Sequence, residues 1–556
     1  MANTTGSAAS RSQDSAAVLH LLRRATFGVR ERDVEEVLAI GRDAWLDRQL
    51  HPERIDDSAL EARLALFPAA TLTQTELWAA YPSPQRLRAR LGGRGETDDS
   101  LSAGEIRREL RRLREEMGVQ PPGRILFDLA GAKLQRAVYS ERQLQEVMTD
   151  FWFNHFNVFW GKAADRWLVG EYEREAIRSH VFSRFEDMLV ATASHPAMLF
   201  YLDNWQSSVP DSAGPTRPRL ALRRQPWERL SPAQRRRLSE RRGLSPEQAE
   251  RVRRQLERAR GRRRGINENY ARELLELHTL GVDGGYTQED VREVARAFTG
   301  WTIARSDEAI AFRFRPELHD SGAKRVLGRP LEGGVGADGM REGRELLHLL
   351  ATHPSTARHL ATKLAVAFVS DDPPPALVDE LAAVFRETGG DLREVTRALF
   401  SSDAFYDPAL YGAKLKSPFE LVSSALRTTG AEVGSSRALV QRLRTFGQLP
   451  YLNPVPTGYA EEAEEWASSG AMLQRMNFAL ELAAGRLDHV RVRSPAPDAP
   501  PSALVEGLLQ AHLPGFDTEA LRAAILAETA EGTERGEGFA RRALGLILGS
   551  PEFQRH

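Results

Sequence analysis

Residues 267–301 read NENYARELLELHTLGVDGGYTQEDVREVARAFTGW and carry the clearest helical pattern of the chain. On a helix that turns about 100° per residue, the charged and amide side chains of the first twelve residues fall mainly on one arc, and Tyr270, Leu274 and His278 fall on the other. A Gly-rich connector follows, and Thr287 and Asp290 then occupy the two positions of a capping box. The stretch therefore predicts two helices joined by a short connector.

Apolar residues recur at helical spacing through most of the remaining chain. Strand signals are sparse, and the best is AFRF at 311–314, followed by HDSGAKRVLG. The predicted fold class is mainly α: large multi-helical domains with one small β-hairpin near residues 311–328.

The length of 556 residues exceeds what one compact core normally holds. We expect a disordered tail at 1–14, an N-terminal helical domain at 15–340 and a C-terminal helical domain at 341–556. The second domain is predicted to pack with the first as one unit. A basic helical insertion at about 206–264 interrupts the first domain.

Composition excludes several classes of protein. The chain has no cysteine, which removes disulfides, thiolate zinc sites and cysteine nucleophiles. No apolar run approaches the roughly 18 residues of a membrane span, and the polar start MANTTGSAASRSQDS lacks the apolar segment of a secretory signal. The expected localisation is cytoplasmic, without a membrane span.

One segment, residues 217–264, is strongly basic. It contains 18 arginines and five glutamates. Such a charge excess favours contact with a polyanionic partner. The alternative, which we favour, is a solvated Arg-rich helical insertion, since Trp227 alone offers no aromatic interleaving for base stacking.

The first candidate site lies on the opening helix. Glu268, Glu273 and Glu276 are the predicted catalytic carboxylates, and the predicted substrate-binding residues are Asn267, Asn269 and Arg272. Asparagine is a poor helix former, so its presence beside Glu268 indicates capping or ligand binding. The alternative is an exposed, salt-bridged helix with His278 in the core.

A second candidate lies in MTDFWFNHFNVFW, residues 148–160. His155 and Asp150 are the predicted ligands of a divalent metal, and Asn154 is a predicted substrate contact. The aromatic surroundings of His155 favour neutral imidazole, which suits a metal ligand, a general base or a hydrogen-bonded core histidine equally.

The third candidate is the turn HDSGAK. His319 and Asp320 are predicted catalytic residues and Lys324 a predicted substrate contact. Trp301, at the end of the opening stretch, is added as a further substrate contact.

Several ordered segments resemble a known bacterial family, the domain of unknown function 1800 (DUF1800). They are LLRRATFG, FWFNHF, HPAMLFYLDN, NENYARELLELHTLGVDGGYTQEDV, ARAFTGW, HDSGAKRVLG, KSPFELVSSALR, PTGY and SPEFQ. The polar stretch at 92–122 and the insertion at 206–264 depart from the family pattern. The resemblance implies a large helical fold and association with a sulfatase-like partner protein. No established activity comes with it, so no catalytic residue is carried over.

Two functions follow as hypotheses. The first is a hydrolase-type enzyme with a carboxylate/histidine site, metal-assisted or not, acting on a carbohydrate polymer. Its pocket would combine all three candidate clusters. The alternative is a non-enzymatic binding or assembly protein, in which the polar clusters are structural and the Arg-rich segment contacts a polyanion.

Overall fold

The computed structural model describes residues 5–87, 103–209, 265–306, 309–332, 338–493, 499–530 and 536–556. Helices dominate these ranges, and their strands form three short antiparallel pairs. The predicted mainly α class is therefore confirmed. The basic segment 217–264 lies outside the described residues.

The first half of the chain, up to the Arg-rich segment, is built from eleven α-helices in its described part. They are α1 (Thr5–Ala25), α2 (Glu31–Ile40), α3 (Arg42–Gln49), α4 (Ser58–Leu64), α5 (Gln74–Ala80), α6 (Ala103–Met117), α7 (Gly123–Tyr139), α8 (Gln143–His155), α9 (Val169–Tyr172), α10 (Phe185–Ser194) and α11 (Pro196–Tyr201). A π-helical turn at Glu173–Ile177 extends α9. Short 3-10 turns lie at Pro52–Arg54, Pro68–Ala70, Ala163–Trp167, Arg178–His180 and Asn204–Gln206.

The second half continues with helices and the small strands. The helices are α12 (Glu268–Glu273), α13 (Gln288–Ala297), α14 (Gly339–Ala351), α15 (Pro354–Phe368), α16 (Pro375–Glu387), α17 (Leu392–Ser401), α18 (Pro418–Thr428), α19 (Arg437–Thr445), α20 (Ser469–Ala483), α21 (Pro501–His512), α22 (Glu519–Ala530) and α23 (Glu537–Gly549). The strands are β1 (Trp301–Arg305), β2 (Ile310–Phe314), β3 (Arg325–Val326), β4 (Arg329–Pro330), β5 (Glu432–Val433) and β6 (Val490–Arg491). A π-helical turn follows α12 at Leu274–His278, and 3-10 turns lie at Pro316–Leu318, Pro408–Leu410 and Ala463–Trp466.

Two boundaries differ from those expected. The first helix begins at Thr5, within the segment predicted as a tail, because its Ala, Arg and Gln residues propagate helix readily. The expected hairpin near 311–328 is two hairpins. The AFRF strand pairs backward, with Trp301 opposite Phe314, and a separate two-residue pair joins β3 to β4.

One continuous cluster of buried apolar residues runs from Val18 to Phe553. A buried arginine ties the two halves of the chain across it: Arg427 of α18 donates to Gly28 O (2.7 Å), Val138 O (2.9 Å) and Asp33 Oδ2 (3.1 Å). Because its partners lie some 290 to 400 residues away, the N-terminal turn and α18 are held side by side. Each helix in the described ranges is too short or too polar to cross a bilayer.

Candidate active site

The opening helix α12 is largely a surface element. Asn267 is its N-cap: the Oδ1 atom accepts from Asn269 N (2.9 Å), and Nδ2 donates to Leu202 O (2.8 Å). Glu268 and Arg272 form a long ion pair (3.9 Å) with 42% of each side chain exposed. The side chain of Gln288 bridges both, donating to Glu268 and accepting from Arg272. This geometry is that of a capped, solvent-facing helix.

The two remaining predicted carboxylates are Glu273, at the end of α12, and Glu276, in the π-helical turn that follows. Glu276 accepts from the Tyr286 hydroxyl (3.2 Å). Burial, and then repulsion from Glu276, raise the pKa of Glu273. His278 points inward and is 2% exposed, and burial lowers its pKa to about 3.

The predicted residues of the second cluster lie on α8 but do not share one environment. His155 turns into the core, where its Nε2 atom lies 3.2 Å from His278 O and its ring packs near those of His278 and His359. Burial and the positive charge of Lys363 hold its pKa well below the usual range. Asp150 instead pairs with Lys133 (2.8 Å). The two predicted metal ligands thus occupy different surroundings, and no group of three or more His, Asp or Glu side chains in the described ranges is arranged to hold a metal.

The third cluster is a closed network. Asp320 binds Arg296 (Nε–Oδ2 2.9 Å), and this attraction lowers its pKa although burial opposes the change. Lys324 lies 2.8 Å from Glu342, and His319 Nε2 lies 3.1 Å from the same carboxylate. Trp301 is fully buried beneath α14, where a Cβ atom on Gly343 would approach its ring to 2.5 Å.

The three predicted clusters therefore do not line one cavity in the described structure. Helix α8 and the π-helical turn after α12 touch through His155 and His278, on their buried faces. The charged groups around His319 and Asp320 pair with one another, through Arg296 with Asp320 and Lys324 with Glu342. Of the predicted site residues, Asp150 and Asn154 line a cavity rich in carboxylates.

That cavity, the acidic cavity, lies between α8, α15, α18 and the loop 448–461, and it holds about 720 Å³ of atom-free space including its open mouth. Its polar lining includes Lys133, Asp150, Asn154, Glu420, Tyr459 and Glu461. The sequence reasoning missed Lys133, Glu420, Tyr459 and Glu461. The segments KSPFEL and PTGY, which border Glu420 and Glu461, were the available signal.

Asn154 anchors the loop that carries Glu461. Its Oδ1 atom accepts from Tyr459 N (2.7 Å), and its Nδ2 atom donates to Tyr459 O (2.8 Å) and to Glu461 Oε1 (2.8 Å). Gly458 permits this approach, since it has a φ of +77° and a Cβ atom there would lie 2.4 Å from Asn154 O. Asn154 thus positions a carboxyl group, while its predicted substrate contact stays a prediction.

Lys133 also lines the acidic cavity, where it pairs with two carboxylates. The buried ammonium group lies 2.8 Å from Asp150 and 3.1 Å from Glu173. Burial alone would lower the pKa of Lys133, but the two carboxylates outweigh it and raise the pKa. Arg178 supports the same Glu173 at 3.5 Å, and this cationic surround lowers the pKa of Glu173 despite its burial.

The pKa values of Glu461 and Glu420 are raised, whereas the pKa of Glu173 is lowered. Burial and then repulsion from Glu420 raise the pKa of Glu461 to about 7. Burial and the charge of Asp150 raise the pKa of Glu420, although Ser417 N donates to its carboxylate (2.7 Å). One cavity therefore presents a lysine-bound carboxylate and a carboxyl group that keeps its proton near neutral pH.

A sequence model of the DUF1800 family, described as proteins of unknown function, matches residues 20–555. The chain belongs to the DUF1800 family. The resemblance seen in the motifs is thereby confirmed over nearly the whole chain. Searches of curated proteins and of solved structures gave no significant match to this DUF1800 protein.

Proposed function

We propose that this DUF1800 protein is a hydrolase-type enzyme whose acid–base groups line the acidic cavity. The proposal is carried by one observation: Glu461, with a pKa of about 7, shares a cavity with the lysine-paired Asp150. Two carboxyl groups in different surroundings, one of them with a raised pKa, are the usual arrangement for an acid and a base.

Each group has a defined task in this proposal. Glu461 in its protonated form donates a proton to the leaving oxygen as the C–O bond breaks. Asp150, which lies 2.8 Å from Lys133, takes a proton from the attacking water, whose oxygen forms the new bond. Asn154 is a positioning residue, because its amide fixes the Glu461 carboxyl group through Oε1.

A carbohydrate polymer is the proposed substrate class. Glycoside hydrolysis uses a pair of carboxyl groups of this kind, and the partly exposed ring of Tyr459 on the cavity wall offers a flat surface for a sugar ring. The assignment rests on this chemistry and on no relative of known activity.

The first test is the protonation of Glu461 itself. Difference infrared spectra between the wild-type protein and Glu461→Gln, recorded from pH 5 to 9, should show a protonated carboxyl band that disappears with a midpoint near 7. A midpoint near the 4.5 of an ordinary glutamate would contradict the proposed acid.

The second test is release of reducing sugar from a panel of polysaccharides. Glu461→Gln and Asp150→Asn should each lower the rate by about 100-fold or more with the fold retained, whereas Glu462→Gln, on the exposed neighbour, should not. Glu276→Gln tests the helix predicted from sequence in the same assay. A loss confined to Glu276→Gln would move the site to the π-helical turn after α12.

The alternative is a binding or assembly protein. The closed network of Lys324, His319 and Glu342 supports it, because those polar residues fix helix packing and face no cavity ligand. Contact with a polyanion through 217–264, and with a sulfatase-like partner, stays a prediction. Salt-dependent retention on heparin that is lost on deletion of 217–264 would favour this alternative.

A further inference from the structure

A second cavity adjoins the acidic cavity and has more basic side chains in its lining. This cationic cavity holds about 510 Å³ of atom-free space including its mouth, and its basic lining residues are Arg23, Lys416, His512, Arg555 and His556. Phe27 and Glu420 belong to the walls of both cavities. The two chambers are therefore neighbours that share a wall.

Three basic side chains of this cavity, those of Arg23, Lys416 and Arg555, donate their hydrogen bonds to neutral groups. Lys416 Nζ donates to Phe553 O (2.8 Å) and lies 4.0 Å from the centre of that ring. Arg23 donates to Pro514 O and stacks 4.1 Å above Phe516.

Arg555 makes a long hydrogen bond to Gly412 O (3.4 Å). Within the described part of the chain, no carboxylate lies within 4.0 Å of the charged nitrogens of Arg23, Lys416 or Arg555, which contrasts with the paired Lys133 of the acidic cavity.

Positive charge also lies behind the wall. Arg24 and Arg475 are each 2% exposed, and both keep guanidinium nitrogens without a hydrogen-bond partner among the described residues. Burial, followed by repulsion from Arg23, lowers the pKa of Lys416 to about 7. Glu420 offsets part of this positive charge, since its charge raises the pKa of both Arg24 and Lys416. Buried cations without a counter-charge in direct contact are costly, so an anion entering the cavity would be stabilised.

Two carboxyl groups also line the chamber. Glu420 stands on the shared wall, 3.8 Å from His556 Nε2. Glu552 has one buried oxygen without a partner. Neither reaches the three cations, which therefore keep their capacity to donate hydrogen bonds to a ligand.

We infer that the cationic cavity binds an oxyanion group, a phosphate, sulfate or carboxylate, carried by the substrate whose reacting bond lies in the acidic cavity. The anion site stands on its own geometry. Its assignment to the substrate rests on the function proposed above and narrows the substrate class to an anionic carbohydrate polymer.

The test measures binding of inorganic sulfate to the full chain by calorimetry, at ionic strength matched with sodium chloride. Sulfate keeps its charge across the working pH range. Arg555→Gln, on the exposed rim, should weaken binding about tenfold, the effect of one lost charge-assisted hydrogen bond. Lys416→Gln should weaken it at least as much, and Arg437→Gln, on an exposed helix start, should leave it unchanged.

Absence of sulfate binding by the wild-type protein, or equal affinities for Arg555→Gln and Arg437→Gln, would overturn the anion site. Either result leaves the infrared titration of Glu461 unaffected, so the two proposals fail separately. Where a polysaccharide is hydrolysed, sulfate should inhibit competitively. Binding of sulfate with purely non-competitive inhibition would overturn the assignment of the anion to the substrate.

Discussion

Glu342 is buried and Glu461 is partly buried, and the surroundings of the two carboxyl groups differ. Glu342 lies 2.8 Å from Lys324 and 3.1 Å from His319, in a network that lines neither the acidic nor the cationic cavity. Glu461 lines an open cavity and accepts from a neutral amide, Asn154. Compensated charge holds a fold together, whereas an uncompensated carboxyl group on a cavity retains a proton that it can donate.

The largest expected change in stability is at Glu342. Glu342→Gln should lower the free energy of unfolding by about 4 kcal/mol, because Lys324 would stay buried without its counter-charge. Chemical denaturation at pH 7 measures the change. The exposed Glu387→Gln on α16 is the control and should be near neutral. A small effect at Glu342 would mean that the network is not the structural element inferred here.

The next largest loss of stability is expected in the loop that carries Glu461. Gly458→Ala combines a left-handed backbone with a contact of 2.4 Å to Asn154 O, so we expect a loss of about 3 kcal/mol. Gly430 has a φ of +58° and open space around it, and Gly430→Ala should cost only about 1 kcal/mol. Equal losses at the two glycines, in the same denaturation experiment, would show that the contact with Asn154 is unimportant.

Replacing Glu461 by Gln should change the free energy of unfolding in the opposite direction from replacing Glu342 by Gln. The folded protein holds the Glu461 proton up to about pH 7, whereas the unfolded chain releases it near 4.5. The contribution of this group to stability is therefore full below 4.5 and is lost as the pH rises to 7. Glu461→Gln keeps the bond from Asn154 and removes the titration.

At pH 8 this variant should be more stable than the wild-type protein by about 2 kcal/mol, less than the full shift because the carboxyl group is partly exposed. At pH 4.5 the two should unfold alike, as thermal melts at both pH values would reveal. If this variant is less stable than the wild-type protein at pH 8, then Glu461, like Glu342, stabilises the fold through its charge.

The smallest effects belong to the surface of α12. Asn267→Ala removes the N-cap and should cost about 1 kcal/mol. Glu268→Gln weakens a long, exposed ion pair and should change stability by less than about 0.5 kcal/mol. Larger changes in thermal stability at Glu268 would mean that this helix face is covered in the folded protein.

Local patterns predicted much of the fold. The capping box of Thr287 and Asp290 is present, with Thr287 N donating to Asp290 Oδ2 at 2.8 Å. The AFRF segment is a strand, and His278 lies in the core as its helical position indicates. The apolar spacing of residues 124–160 would also fit one long helix, but the structure divides this stretch between α7 and α8, where Asp57 accepts from the backbone of Glu141 (2.9 Å) and from Ser140.

The sequence by itself determined the helical class and the family, since these depend on short-range periodicity and on motifs. It also singled out Asp150, as a metal ligand, and Asn154, as a substrate contact, and both assignments stay predictions. Only the tertiary structure decided that Glu420 and Glu461 join these two residues in the acidic cavity, because these residues lie far apart along the chain. The raised pKa of Glu461 arises from burial and from its neighbour Glu420. Neither cause is visible in sequence spacing, since both depend on distances between segments that folding alone brings together.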